Sequence, residues 1–195
     1  MPDVLRGSPF SATLKIACGA AICFVCESAG LRTHWVLVVM DQFSRRIIGF
    51  GVQRGTVDGA ALCRMFQRAI RGRGLPNYLS SDHDPVYRFH QWQANLQILE
   101  VIEIKTVPYV PLSHPFIERL IGTIRREYLD RMVFWTAADL ETKLIDFQHY
   151  YNGRRTHAGL DGRLPEPNGS EAPLDFDSYR WQMHCRGLYQ TPIAA

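Results

Sequence analysis

At 195 residues the chain can bury a proper core, and one domain with peripheral helices is the expectation. A hydrophobic share of 46% and a charged share of 21% are those of a globular protein and exclude global disorder. The formal charge is only +3, but the arginines cluster: Arg64, Arg68, Arg71 and Arg73, then Arg119, Arg125 and Arg126, then Arg154 and Arg155. A basic face of this kind binds phosphate, or lies simply solvated, while the net charge stays modest.

The stretch "IACGAAICFVC" (16–26) follows Lys15 and looks like the apolar centre of a signal peptide. It is too short to span a bilayer and carries no clear cleavage signal, so a buried strand is expected. No other segment suggests a membrane. "HWVLVVMDQFSRRIIGFGV" (34–52) reads as two apolar, β-branched strands joined by a turn at Asp41-Gln42-Phe43-Ser44, covered on both faces and pairing with the segment around 21–27. Leu62, Met65, Phe66, Ala69 and Ile70 then recur at helical spacing, with Gly72 or Gly74 ending the helix. "NYLSSD" (77–82) is a short strand, "VYRFHQWQANLQIL" a helix and "VIEIKTVP" (101–108) another strand. Three prolines make "PYVPLSHP" an exposed loop.

Beyond that loop Pro115 suits the first position of a helix, with Ile117, Leu120, Ile121, Ile124 and Tyr128 on one stripe. A last helix starts at Thr136, with Asp139 completing a variant capping box, and carries Leu140, Leu144, Phe147 and Tyr151 inward. The tail from about residue 162, at first rich in Pro, Gly and Ser, is expected to pack loosely. Three consecutive strands followed by alternating elements predict an α/β fold, a mixed sheet flanked by helices.

Five cysteines form no secreted disulfide pattern. Cys23 and Cys26 make a lone C-x-x-C without the further ligands a zinc site needs, so reduced thiols and a cytoplasmic location are expected.

Asp82 closes a strand at the carboxyl edge, where open α/β sheets place their ligand sites. Glu118 lies in the first turn of the later helix, and at about 100° per residue it shares a face with Gly122 and Arg125. Gly122 leaves room for close approach, and Arg125 offers positive charge. Carboxylates beside arginines suit a divalent cation and a phosphodiester, because hard cations take oxygen ligands. The alternative is structural: Asp82 caps the following turn, and Glu118 pairs with Arg119 or the helix N-terminus. Asp84 reads as a turn residue set by Pro85.

Thirty-five residues lie between Asp82 and Glu118, with "LSSDHDP" before the gap and "HPFIERLIGTIRRE" after it. In this spacing the chain resembles the catalytic core of retroviral-type integrases and insertion-sequence transposases, the D,D,E superfamily. "VVMDQFSRRIIGFGV" looks like that family's second and third strands, with its D-x-x-S-R, and "YYNGRRTHAGLDGRLP" is similar to its closing Y-N-x-x-R-x-H-x-x-L…P pattern. The resemblance covers residues 22–166 as an integrase-type core, leaving 1–21 as an atypical N-terminal segment and 167–195 as a tail. It implies an RNase H-like mixed five-stranded sheet and a carboxylate triad binding Mg2+ (or Mn2+), of which Asp82 matches the second member and Glu118 the third. It further implies 3′-end processing and then strand transfer, in which a DNA 3′-hydroxyl attacks a target phosphodiester. Arg125 matches a position that contacts donor DNA ends; Arg126 and Arg155 are further DNA-binding candidates. His157 and Arg155 in the closing pattern look structural or DNA-facing, and His114 stands where the family often has Asn. The partners implied are insertion-element ends, target DNA and further copies of the same chain.

The pattern departs from the family at the first acid. That aspartate belongs near Ile22, within "GAAICFVCES", where no aspartate and no preceding tryptophan occur. Glu27 lies an odd number of residues from Ile22 and so points to the opposite face of a regular strand. Losing a shared ligand weakens two-metal binding, so cation binding is expected to be weak or absent and the activity lost. The expectation is a truncated or frame-disrupted insertion-sequence copy that keeps its fold. The other readings are an active transposase, an inactive DNA-binding remnant, or an interaction module with no nucleic-acid role.

Overall fold

The computed structural model describes residues 16–82, 84–105, 115–166 and 179–194. Three long apolar strands open the described chain: β1 (Ile16–Glu27), β2 (Thr33–Asp41) and β3 (Ile47–Arg54). Val36 to Met40 of β2 are all buried, as a strand covered on both faces requires. Asp41 shapes the β2–β3 turn: its Oδ2 accepts from the Ser44 hydroxyl at 2.6 Å and its Oδ1 from the Phe43 N–H at 3.2 Å. The expected turn is therefore present, and Arg45 leaves it at a φ of 64°.

The helix α1 (Gly59–Ile70) follows, capped by Asp58, whose carboxylate accepts from the Ala61 N–H at 2.6 Å. Gly72, at a φ of 70°, turns the chain back. β4 (Pro76–Ser81) pairs parallel with β1, and β5 (Ile102–Lys105) parallel with β4. Between them the segment expected as one helix is broken. A 3-10 turn, Pro85–Arg88, precedes α2 (His90–Ile98), and Phe89 between them is extended. The break lets Tyr87 and Trp92 both reach the core, their ring centroids 5.5 Å apart.

The five-stranded sheet has the order β3-β2-β1-β4-β5, antiparallel across its first three strands and parallel across its last three. One face packs on α1 and α2, through Leu62, Phe66 and Trp92. The other packs on α3 (Pro115–Thr123) and α4 (Ala137–Gly153), through Ile117, Leu120, Leu144 and Phe147. The fold is the expected mixed α/β sheet with helices on both sides. Pro115 opens α3, and Thr136 caps α4 by accepting from the Asp139 N–H at 3.1 Å, both as the sequence predicts.

Two further features depart from expectation. First, α3 continues as a π-helical turn, Ile124–Tyr128, and then a 3-10 turn, Leu129–Arg131. Second, residues 179–194 are no loose tail. β6 (Tyr179–His184) and β7 (Tyr189–Ala194) form an antiparallel ribbon against α4, with Cys185 buried in the core and Tyr189 stacked on Tyr150 at 4.2 Å. Aromatic packing on α4 holds what composition alone reads as irregular. The "PYVPLSHP" loop, His114 included, lies outside the described residues up to Pro115. Among the described residues no helix is long and apolar enough to cross a membrane.

Candidate functional site

The strand register decides where the carboxylates sit. β4 pairs with β1 through Ala20↔Ser80 and Ala21↔Ser81. The pairing ends there, one step short of Ile22 on β1 and of Asp82 just past β4. Asp82 is half-buried just past β4, and its Oδ1 accepts from the Asp84 N–H at 3.1 Å. Asp84 in turn accepts from the Val86 N–H at 3.0 Å, the turn role expected of it.

Glu118 lies in the first turn of α3, exposed, and makes no hydrogen bond or ion pair among the described residues. Its neighbours Ile117 and Leu120 pack in the same cluster as Ala20, Phe24 and the partly buried Ile22 of β1. The helix is thus seated over the strand that carries position 22. Among the described residues no three His, Cys, Asp or Glu side chains come together as a cation site. Glu27 ends β1, five residues past Ile22, and does not join the pair.

The two thiols of the C-x-x-C part company for the same alternation. Cys23 packs with the α1–α2 face and Cys26 with the α3–α4 face, so they cannot ligate one ion. Burial pushes the Cys23 thiol up to about 12 and the Cys26 thiol to about 11, which keeps both protonated.

The arginines are arranged differently from a simple helical wheel. The π turn closes an i→i+5 bond from the Leu129 N–H to the Ile124 carbonyl and shifts the phase of the residues after α3. Arg125 leans onto β1: its Nη2 donates to the Val25 carbonyl at 2.9 Å, and its guanidinium carbon lies 5.5 Å from the Phe24 ring centroid. The space beside Gly122 is filled by Arg126, whose guanidinium nitrogens lie 3.3 Å from where a Cβ would stand. Gly122 therefore makes room for this chain's own arginine. Arg126 is exposed and has no hydrogen bond or ion pair among the described residues.

Arg155 forms a two-point ion pair with Glu127 of the π turn, Nε to Oε2 at 3.0 Å and Nη2 to Oε1 at 2.8 Å. The pair raises its pKa further. Tyr189 of β7 donates its hydroxyl proton to the Glu127 carbonyl, so the closing pattern and the ribbon both grip the end of the helix that carries Glu118. Glu127 and Tyr189 are absent from the sequence reading. No local spacing pairs residues 28 and 62 positions apart. Arg45 is a further addition. Its guanidinium carbon lies 3.0 Å above the Phe116 ring in the first turn of α3. The D-x-x-S-R pattern already contained it.

Residues 102–165 match the family described as integrase core domain, a span that includes Glu118, Arg125, Arg126 and Arg155 but begins after Asp82. The chain is 29% identical over 137 residues to a protein of insertion element IS476 from Xanthomonas euvesicatoria, covering 70% of this chain and 39% of that one. It is 24% identical over 149 residues to the transposase for insertion sequence element IS904 from Lactococcus lactis subsp. lactis, covering 75% and 56%. The chain thus spans 39% and 56% of the length of these two relatives. Among solved structures, the HTLV-2 integrase catalytic core domain in complex with magnesium, in a dimeric form, superposes with a TM-score of 0.58 at 14% identity, over 78% of this chain and 96% of that one. A chain of a simian T-cell lymphotropic virus intasome superposes with a TM-score of 0.62 at 16% identity, over 97% and 72%. The superpositions establish the RNase H-like fold. The matched domain and the insertion-element relatives make the chain similar, in sequence, to the catalytic cores of integrases and transposases.

Proposed function

We propose that this chain is the DNA-handling core of an insertion-element transposase that has lost metal-dependent strand cleavage and transfer. Asp82 and Glu118 are its retained second and third carboxylates, and Ile22 stands in place of the first. The observation that supports this reading is the β1–β4 register, whose last pair, Ala21↔Ser81, lies one step before Ile22 and Asp82. An aliphatic side chain donates no oxygen, so the residues present do not fit a centre in which two Mg2+ (or Mn2+) ions share a carboxylate.

DNA contact is assigned to Arg126 first, because its guanidinium is exposed and uncommitted among the described residues. Arg125 follows, with one donor already given to Val25. Arg155, held by Glu127, contributes mainly by fixing the turn that carries the other two. Such contacts make binding fall steeply with salt. Self-association on paired DNA ends belongs to the same proposal and is read by sedimentation with and without DNA.

A strand-transfer assay on end-matched duplex DNA with Mg2+ or Mn2+ tests the reading, beside calorimetric metal titration. The wild-type chain is expected to bind DNA and transfer no strands. Ile22→Asp is expected to raise metal affinity and to restore turnover where the rest of the machinery is intact. Robust turnover by the wild type overturns the inactive reading. Unchanged metal binding in Ile22→Asp means that position 22 is not the missing ligand.

A further inference from the structure

Arg126 emerges between two anchored residues. On one side Arg125 donates to the Val25 carbonyl of β1 at 2.9 Å. On the other, Glu127 is held twice. Its carboxylate accepts two hydrogen bonds from Arg155, and its carbonyl accepts the Tyr189 hydroxyl proton. The Glu127 side chain is 33% exposed and that of Arg155 25%, so this two-point pair is firmer than an open surface pair.

Both grips start from one residue of α4. The Arg155 N–H donates to the Tyr150 carbonyl at 3.0 Å, and the Tyr189 ring lies on the Tyr150 ring, 4° from parallel. The end of α4 thus reaches the Glu127 side chain, while the ribbon reaches the Glu127 backbone. The turn they hold needs such outside contacts. Its Leu129 N–H is shared between the Arg125 carbonyl, the α-helical partner, and the Ile124 carbonyl, the π-helical one. Local hydrogen bonds therefore do not choose between a tight and a wide turn, and contacts from elsewhere decide. A shift of register here swings the backbone that carries Arg126, whose guanidinium now lies over Gly122.

We propose that Glu127 is a positioning residue for DNA: held by Arg155 and Tyr189, it fixes the turn in the register that aims Arg126 at a phosphate. The inference rests on the DNA reading above and extends it to an acid and to the C-terminal ribbon. It reverses the effect that charge alone predicts. An acid beside a DNA contact repels phosphate, so neutralising it tightens binding. Neutralising a positioning acid weakens binding, because the arginine it aims is lost to the phosphate.

The test is equilibrium binding of a fluorescent DNA duplex across a salt series, in EDTA so that no cation contributes. Glu127→Gln, and Tyr189→Phe, which keeps the ring on Tyr150, are each expected to weaken binding at least about threefold. Each is also expected to flatten the dependence of log K on log salt by up to about one, as Arg126→Ala does. In an Arg126→Ala background neither change has a further effect, a coupling that a merely structural role does not produce. Circular dichroism and urea unfolding monitor the fold, and if Glu127→Gln fails to fold, Tyr189→Phe decides alone. Wild-type or tighter binding in a folded Glu127→Gln overturns the proposal, and so does wild-type binding in Tyr189→Phe. Losses that persist in full without Arg126 overturn it too, since the network then acts on something else. If Arg126→Ala binds as the wild type, there is no contact to position and the proposal falls. If the wild-type chain binds no DNA, the DNA reading itself fails, a result distinct from DNA binding that ignores Glu127.

Discussion

His157 packs edge-on against Tyr151, with ring centroids 4.5 Å apart, and its Nδ1 lies 3.4 Å from Arg155 Nη1. Its Nε2 is buried without a partner among the described residues. Burial, and then the neighbouring Arg155 charge, pull its pKa below the ordinary histidine value; Glu127 and a Tyr151 backbone bond oppose this. A depressed folded-state pKa means that the unfolded chain takes up the proton first. The stability contribution is therefore full above about pH 6.5 and is lost as pH falls toward the folded value. Urea unfolding of the wild type is expected to show a falling midpoint through this window, and His157→Gln a shallower fall. His184, also depressed by burial, keeps the slope from vanishing. Equal slopes in the two proteins would remove His157 from the account. The histidine of the closing pattern is thus a packing residue that needs to stay neutral.

At the scale of elements, β3 is the edge of the sheet, and its exposed backbone is sealed from one side. Asn152 of α4 accepts from the Ile47 N–H and donates to the Ile47 carbonyl, each at 2.9 Å, while Gln148 donates to the carbonyls of Ile47 and Ile48. Groups that would otherwise template another strand are spent inside the molecule. On the opposite face α1 lies so close that a Cβ at Gly49 would strike the Ala69 carbonyl, and one at Gly51 the Met65 carbonyl. Backbone cannot yield as a side chain can. Gly51→Ala is expected to cost about 1–3 kcal/mol by overpacking, read as a lower denaturation midpoint with an unchanged slope. A neutral result would require α1 to sit farther from β3. The sequence marked these glycines only as part of an apolar strand, because the helix they meet is remote in the chain.

At the scale of the molecule, the ribbon β6–β7 closes the α3–α4 face. Cys185 is buried there, Leu188 and Tyr189 pack on the same cluster, and Tyr189 reaches the π turn. Deleting residues 179–195 is expected to lower stability by about 2–4 kcal/mol, since a buried side chain and its neighbours lose their cover. Chemical denaturation measures this. A midpoint equal to that of the full chain would show that the ribbon only decorates the core.

Much of this architecture was legible before folding was considered. The apolar runs of β2 and β3, the Asp58 and Thr136 caps, and the stripe of α4 are local patterns, so residue type and spacing determine them. The interval from Asp82 to Glu118, together with the absence of an acid near Ile22, is likewise written in the chain. Contacts between distant residues are not. The break before α2 answers to a core that wants both Tyr87 and Trp92, and the π turn is gripped by Arg155 and Tyr189 from far along the chain. The ribbon rests on a tyrosine stack that composition cannot announce. By itself the sequence determined which elements form and which carboxylates remain, because those depend on neighbours a few positions away. Only the tertiary structure decided that β1 and β4 pair up to Ala21↔Ser81, that Arg126 fills the space beside Gly122, and that Arg45 stacks on Phe116. Register and packing bring these groups together, and both are set by contacts that span the whole chain.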